Sequence, residues 1–369
     1  MPQPSSAAGS RQKTLLLLSA LAVFFVVDLH SRNAFGLMTS VFPYESFFIP
    51  LFVFIAGAFF RLEDAKHPLR YVWKQCRHLL FPYAAVNGGA AAVILLLRRQ
   101  CEEIRWTADF LPSAEGETSL TAPARLLPLL FFIGVLYLFF QWAVPRQHPL
   151  LTFLLLSLVS MGCVGLSETD SEIKAFILKI GCFLPFFHLG AVYQKMPAVF
   201  FRKLPLTGSL LLSAGVNILL LLFGVDLSAV SWENLSSLPV FLAFLPLVIG
   251  LSGMIFWLAL SEIMAPVLGN SHLMALLSQH MFGILCYHIA VFTAFNWFLS
   301  RWPATQNSFD LKAFSADGGF YLLTTPDGIR NCYVFVGLFG SLLICMITAG
   351  LKKLALSAFR TAAQRKCFT

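Results

Sequence analysis

The chain has 369 residues, 58% hydrophobic and only 12% charged, with 38 phenylalanines and a formal net charge of +8; its mean hydropathy is +0.77. A soluble globular protein carries about twice that charged fraction, so a water-soluble enzyme or binding domain is excluded. The positive charge does not argue for nucleic acid, because it is sorted into alternate loops rather than gathered on one domain.

Apolar runs of about 18 to 22 residues match the length that crosses a hydrocarbon core, and they are continuous rather than alternating, which points away from a β-barrel. In chain order the spans are expected near 14–31, 41–60, 78–97, 126–144, 150–166, 175–193, 206–223, 240–260, 281–299 and 332–350. The expected class is therefore all-α, a polytopic bundle of about ten transmembrane helices. Residues 1–13 form a tail before it, 14–350 the membrane domain, and 351–369 a basic tail after it. "RQKTLLLLSALAVFFVV" also resembles a secretory signal, but "DLHSRNAFG" offers a poor cleavage site, so it is read as the first span.

Loop charges then fall on two sides. Arg11, Lys13, Arg61, Lys66, Arg70, Lys74, Arg77, Arg146, Lys195, Arg202, Lys203, Lys352, Lys353, Arg360, Arg365 and Lys366 share one side. Most of the acids lie opposite: Glu102, Glu103, Glu115, Glu117, Glu168, Asp170, Glu172, Asp226, Glu233 and Asp310. The positive-inside rule makes the basic side cytoplasmic, with both termini inside. No cysteine pair has metal-ligand spacing, so no metal is expected. Cys101 and Cys332 sit at outer span ends and are either a disulfide or two independent small residues. Asn234 begins a glycosylation triplet of a kind common by chance. The segment 300–331 carries two Gly/Asp turn signals and is expected to fold over the outer face. No internal repeat is present, which disfavours an inverted-repeat transporter. Pro50, Pro82, Pro185 and Pro246 are expected to kink spans or mark their ends.

Ionisable groups inside spans are costly and serve first as functional candidates. They are Asp28, His30, Glu45, Lys179, His188, His280 and His288, joined by Asn87 and Asn296. His30 lies about 24 Å along the first span, towards its outer end, at 1.5 Å per residue. Glu45 begins the second span at the same level, and a carboxylate beside the imidazole would make it a better base. Asp28 is two residues from His30, on another face of the helix, and is expected to find its own partner. Lys179 can snorkel outward. His188 is expected to be structural, and His288 sits too deep to snorkel.

Four segments carry a resemblance. "FFIPLFVFIAGAFF" (47–60) resembles the second-span signature of the acyltransferase-3 family of integral membrane O-acyltransferases through Pro50, Leu51, Phe52 and Gly57, with Ala56 where the family usually has serine. "RHLLFPYAAVN" (77–87) looks like that family's entry to span 3, through Arg77, Leu79, Pro82 and Tyr83. "LPFFHLGAVYQK" (184–195) is similar to its Leu-Gly-Ala step, and "LLSQHMFGILCYHIAVF" (276–292) to its late Gly-Ile…His segment, through Ser278, Gly283, Ile284 and His288.

The resemblance implies a ten-span fold in the bacterial cytoplasmic membrane. It implies acyl transfer, acetyl first of all, from acetyl-CoA or another acyl-CoA co-substrate to a carbohydrate acceptor, with His30 as general base. Glu45 is its catalytic partner in this reading. His288, Asn87, Tyr83 and Ser19 are substrate-side candidates, and Arg61, Lys66, Arg70, Lys74 and Arg77 would hold CoA phosphates. Those cations are equally explained by positive-inside topology. Ser19 stands where the family usually has an arginine, an Asp-x-x-Arg start to span 1 is missing, and Leu126 and Pro128 replace a His-x-Trp mark, although Tyr137 fits. The alternatives are a glycan or solute exporter lined by His288, Asn87 and Lys179, or a subunit of a larger glycan machine. The other partners expected are the lipid bilayer and, as an open possibility, a second copy of the chain.

Overall fold

The structure, a computed structural model, describes residues 6–61, 63, 66–97, 122–144, 148–167, 171–193, 205–230, 232, 240–299, 301–303 and 327–366. Cys101, Asn234, the loop charges Glu102, Glu103, Glu115, Glu117, Arg146, Glu168, Asp170, Lys195, Arg202, Lys203, Glu233 and Asp310, and the first turn signal of 300–331, at 317–319, lie outside the described residues; the second, Asp327 and Gly328, is no turn but the start of the last helix.

Among the described residues there is no strand. The helices are α1 (Ser6–His30), α2 (Tyr44–Ala58), α3 (Pro68–Gln75), α4 (Phe81–Leu97), α5 (Leu126–Ala143), α6 (Pro149–Gly165), α7 (Glu172–Tyr193), α8 (Leu206–Leu222), α9 (Leu245–Leu268), α10 (His272–Gln279), α11 (Met281–Leu299) and α12 (Asp327–Lys366). Among the described residues, six segments are long and apolar enough to cross a membrane: Gly9–His30, Leu126–Ala143, Ile173–Tyr193, Leu245–Leu268, Met281–Leu299 and Ile329–Leu354. Tyr44–Ala58, Pro149–Gly165 and Leu206–Leu222 are shorter apolar helices. The outward faces fit lipid rather than water. On α6, Leu151, Leu154, Leu155 and Leu158 form an exposed stripe at helical spacing that would be an aggregation surface in a soluble protein. This is a helical membrane bundle.

Two expected loops are helical. The inner segment 261–280 holds the end of α9 and all of α10, and 61–77 holds α3. The expected tail after residue 350 continues as helix to Lys366. Hydropathy marks only the greasy part of a helix, while backbone hydrogen bonding runs on into charged sequence wherever no proline or glycine stops it.

Prolines punctuate as their chemistry requires. Pro68 and Pro149 open α3 and α6, and Pro246 lies in the first turn of α9, where a missing N–H costs nothing. Pro82 follows a π-helical turn, Cys76–Leu80, that links α3 to α4; the proline ring crowds the carbonyl four residues earlier, and the widened turn accommodates it. Pro50 lies within α2 and leaves the Ser46 carbonyl without its helical donor. The buried indole Nε1 of Trp232 donates to that carbonyl at 2.6 Å, and the ring packs on Phe183 and Phe186 of α7.

α1 is the central post. It packs against α2, α9, α10, α11 and α12, and Leu15, Leu17, Leu18, Ala20 and Val23 are buried around its circumference; a helix apolar all round belongs in the interior. α2 and α7 form the closest pair. Any Cβ on Gly57 would run into the Phe187 carbonyl, and one on Gly190 into the Phe54 carbonyl. Small residues that let backbones touch are how membrane helices gain dispersion energy without a hydrophobic drive between them. Gly57 and Gly190 belong to two of the segments that carry the family resemblance.

Candidate functional site

α1 ends at His30, and the chain turns at once. Arg32, Asn33 and Met38 have φ of 57°, 53° and 56°, and Gly36 has 55°; three non-glycine residues in the left-handed region need something to hold them there. Asp28 does so. Its wholly buried carboxylate accepts the Phe35 N–H at 2.9 Å, the Gly36 N–H at 3.1 Å and the Tyr44 hydroxyl at 3.0 Å. The Tyr44 oxygen in turn accepts the Leu37 N–H at 2.8 Å. The acid in "DLHSRNAFG" thus ties the α1–α2 turn to the first residue of α2 and points away from His30.

His30 is partly exposed, and its side chain makes no hydrogen bond or ion pair with any described residue. Its neighbour is His288 of α11, with ring centroids 5.1 Å apart at 43°. His288 is fully buried and also packs edge-to-face with Phe292, ring centroids 5.8 Å apart. His288 Nδ1 lies 3.0 Å from the Ile284 carbonyl. A carbonyl only accepts, so Nδ1 carries the proton and Nε2 the lone pair. That Nε2 is buried with no hydrogen-bond partner. A buried acceptor without a donor is costly and calls for an explanation. The arrangement offers two imidazoles, one reachable from outside and one with an unused lone pair, side by side at the end of α1.

The remaining candidates do not converge on this pair. Glu45 is half-buried in the first turn of α2, where an acid complements the helix dipole, and no hydrogen bond or ion pair joins it to His30. Ser19 donates to the Leu15 carbonyl of its own helix at 2.7 Å, and Asn87 donates to the Tyr83 carbonyl at 2.9 Å; Tyr83 is buried beside it on α4. Arg61, Lys66, Arg70, Lys74 and Arg77 are all exposed, on and around α3. His188 is part of a chain: its Nε2 lies 3.0 Å from the Pro149 carbonyl and so donates, and its Nδ1 accepts the Tyr137 hydroxyl at 2.9 Å. Tyr137 itself accepts from Gln141 at 2.8 Å. With every ring nitrogen occupied, His188 stitches α5, α6 and α7 together. Cys332 is a free, exposed thiol.

The sequence reading did not connect His30 with His288, since no local pattern links positions so far apart. It also passed over Arg125, a half-buried cation in the turn Ala122–Arg125 that packs on α11. The only signal for it was an arginine at the outer edge of a span. Among the described residues no group of three or more His, Cys, Asp or Glu side chains is placed to hold a metal.

No family model, no curated protein and no solved structure matches the chain.

Proposed function

We propose that the protein is an integral membrane O-acyltransferase that moves an acyl group, acetyl in the simplest case, from acyl-CoA to a hydroxyl of a carbohydrate. In this reading ten spans lie in a bacterial cytoplasmic membrane with both termini inside, following the distribution of loop charge. The observation that carries the reading is the meeting of His30 and His288, whose unpartnered Nε2 faces no protein donor. His30 is the general base that the resemblance implies, and His288 belongs to the late segment, 276–292, that carries it.

The chemistry follows from two neutral imidazoles. A hydroxyl oxygen of the acceptor attacks the thioester carbonyl carbon while its proton passes to His30. The tetrahedral intermediate collapses, breaking the carbon–sulfur bond, and the departing CoA thiolate recovers the proton from the His30 imidazolium. His288 Nε2 accepts a hydrogen bond from a second hydroxyl on the same sugar, which fixes the first one at His30. A substrate with adjacent hydroxyls satisfies both acceptors at once, which favours a carbohydrate over a simple alcohol. Glu45 has no part in this scheme. The export reading needs a polar file through His288, Asn87 and Lys179, and the Asn87 amide is taken up by its own helix.

The test uses the purified full-length chain in proteoliposomes with radiolabelled acetyl-CoA and membrane glycan. His30→Ala should lower ester formation about 10²–10⁴-fold, the usual contribution of a general base, with its unfolding midpoint unchanged. His288→Ala should raise the acceptor KM more than it lowers kcat. Transfer that survives His30→Ala refutes the assignment, and glycan crossing the vesicle wall with no thioester consumed establishes export instead.

A further inference from the structure

α3 and the π turn after it carry three exposed cations, Arg70, Lys74 and Arg77. Three stripes divide the surface of α3 when the helix is wound at about 3.6 residues per turn. The first is inward: Tyr71 is buried, packs edge-on against Phe60 at 5.4 Å, and meets Gly134 of α5 through its hydroxyl. The second is apolar and uncovered, with Leu69 85% and Trp73 62% exposed. Trp73 leans edge-on against Phe81 at 5.7 Å, and Phe81, itself exposed, is the first residue of α4. The third, beside the second, is basic: Arg70 and Lys74, continued by Arg77 in the π turn, all exposed.

Each stripe has a different natural environment. A helix docked on the bundle by Tyr71 and joined to α4 through the π turn lies at the membrane boundary, where Trp is the favoured anchor. Leu69, Trp73 and Phe81 then face acyl chains and glycerol, and the adjacent cations face the headgroups. A basic stripe flanking a buried apolar one is the pattern of an interfacial amphipathic helix, and its complement is negative charge in the lipid.

We propose that α3 and the start of α4 form a binding site for anionic phospholipid, with Arg70, Lys74 and Arg77 on the phosphate and Trp73 and Leu69 against the glycerol and upper acyl chain. The site is independent of the acyl-transfer chemistry, and it gives the exposed cations a different phosphate from that of CoA. Trp73 serves as the reporter. The full-length protein is reconstituted in phosphatidylcholine vesicles doped with either brominated phosphatidylglycerol or brominated phosphatidylcholine, whose bromines quench a contacting indole. Subtracting the Trp73→Phe signal isolates residue 73.

Brominated phosphatidylglycerol should quench Trp73 at a lower mole fraction than the zwitterionic lipid, and the difference should shrink as salt is raised. Replacing Arg70, Lys74 or Arg77 by Gln should raise the half-quenching fraction about 5-fold each, from about 1 kcal/mol per basic residue near an anionic surface. Lys74→Arg should leave it unchanged. All four residues are surface groups, and an unaltered unfolding midpoint checks the fold. Equal quenching by the two lipids, or no effect of the three Gln substitutions, overturns the proposal. Protection of Trp73 by acetyl-CoA together with equal quenching would assign the cations to the nucleotide.

Discussion

The clearest consequence of the α1–α2 turn is a measurable coupling between Asp28 and Tyr44. Asp28→Ala removes the acceptor of three hydrogen bonds, two from the Phe35 and Gly36 N–H groups and one from the Tyr44 hydroxyl. Donors left unsatisfied in a buried setting cost about 1–3 kcal/mol each, although the turn can relax towards solvent once released. A total loss of about 3–5 kcal/mol is expected, at the upper end for a single substitution. Tyr44→Phe removes the Asp28 contact and also the acceptor of the Leu37 N–H, so about 2–3 kcal/mol is expected, since hydrogen bonds to charged groups are worth about 1.5–3 kcal/mol. In the double variant the shared bond is lost once, and the pair should couple by about 1.5–3 kcal/mol. Equilibrium unfolding in mixed micelles of the four proteins measures the cycle. Coupling below about 0.5 kcal/mol, the range of independent sites, would refute the claim that Asp28 holds the turn through Tyr44. Because His30 ends the same helix, Asp28→Ala should also reduce ester formation while the imidazole itself is intact.

Three further outcomes follow from the packing. Trp232→Phe strands the Ser46 carbonyl and should cost about 1–3 kcal/mol, but much less in a Pro50→Ala background, where residue 50 regains an N–H for that carbonyl; an equal cost in both backgrounds would show that the indole only fills space. Gly57→Ala or Gly190→Ala forces α2 and α7 apart and should destabilise by at least the roughly 1–3 kcal/mol of ordinary overpacking, read as a fall in thermal midpoint, whereas Gly88→Ala, with open space around it, should be neutral or slightly stabilising. Tyr137→Phe breaks the chain through His188 and should lower the unfolding free energy by about 1 kcal/mol with acyl transfer unchanged; a specific loss of transfer would move His188 into the reacting site.

The reading of Asp28 illustrates how far local rules reach. Its angular offset from His30 was visible in the sequence because helix geometry is local, and the structure places it on a separate partner. That partner is Tyr44 and not the neighbouring Glu45, a choice set by which face of α2 turns towards α1. His188 was legible as structural from its depth, but its bonds to Tyr137 and Pro149 depend on how α5, α6 and α7 approach. The helical character of α3 was missed because its eight residues are polar on balance and too few to register as an apolar run, although their apolar side chains do recur at helical spacing.

Taken alone, the order of amino acids determined the solvent of this protein and the character of its elements: apolar runs too long and too poorly charged for water, a first helix buried all round, and prolines where donors are dispensable or missing. Those properties are sums over neighbouring residues, and such sums survive without a fold. The tertiary structure decided which polar groups meet. His30 lies beside His288 because α1 and α11 pack at one register, and α2 and α7 touch because two glycines clear the way for their backbones. Partner choice depends on helix rotation and depth to within an ångström or two, and only close packing of the whole bundle sets those.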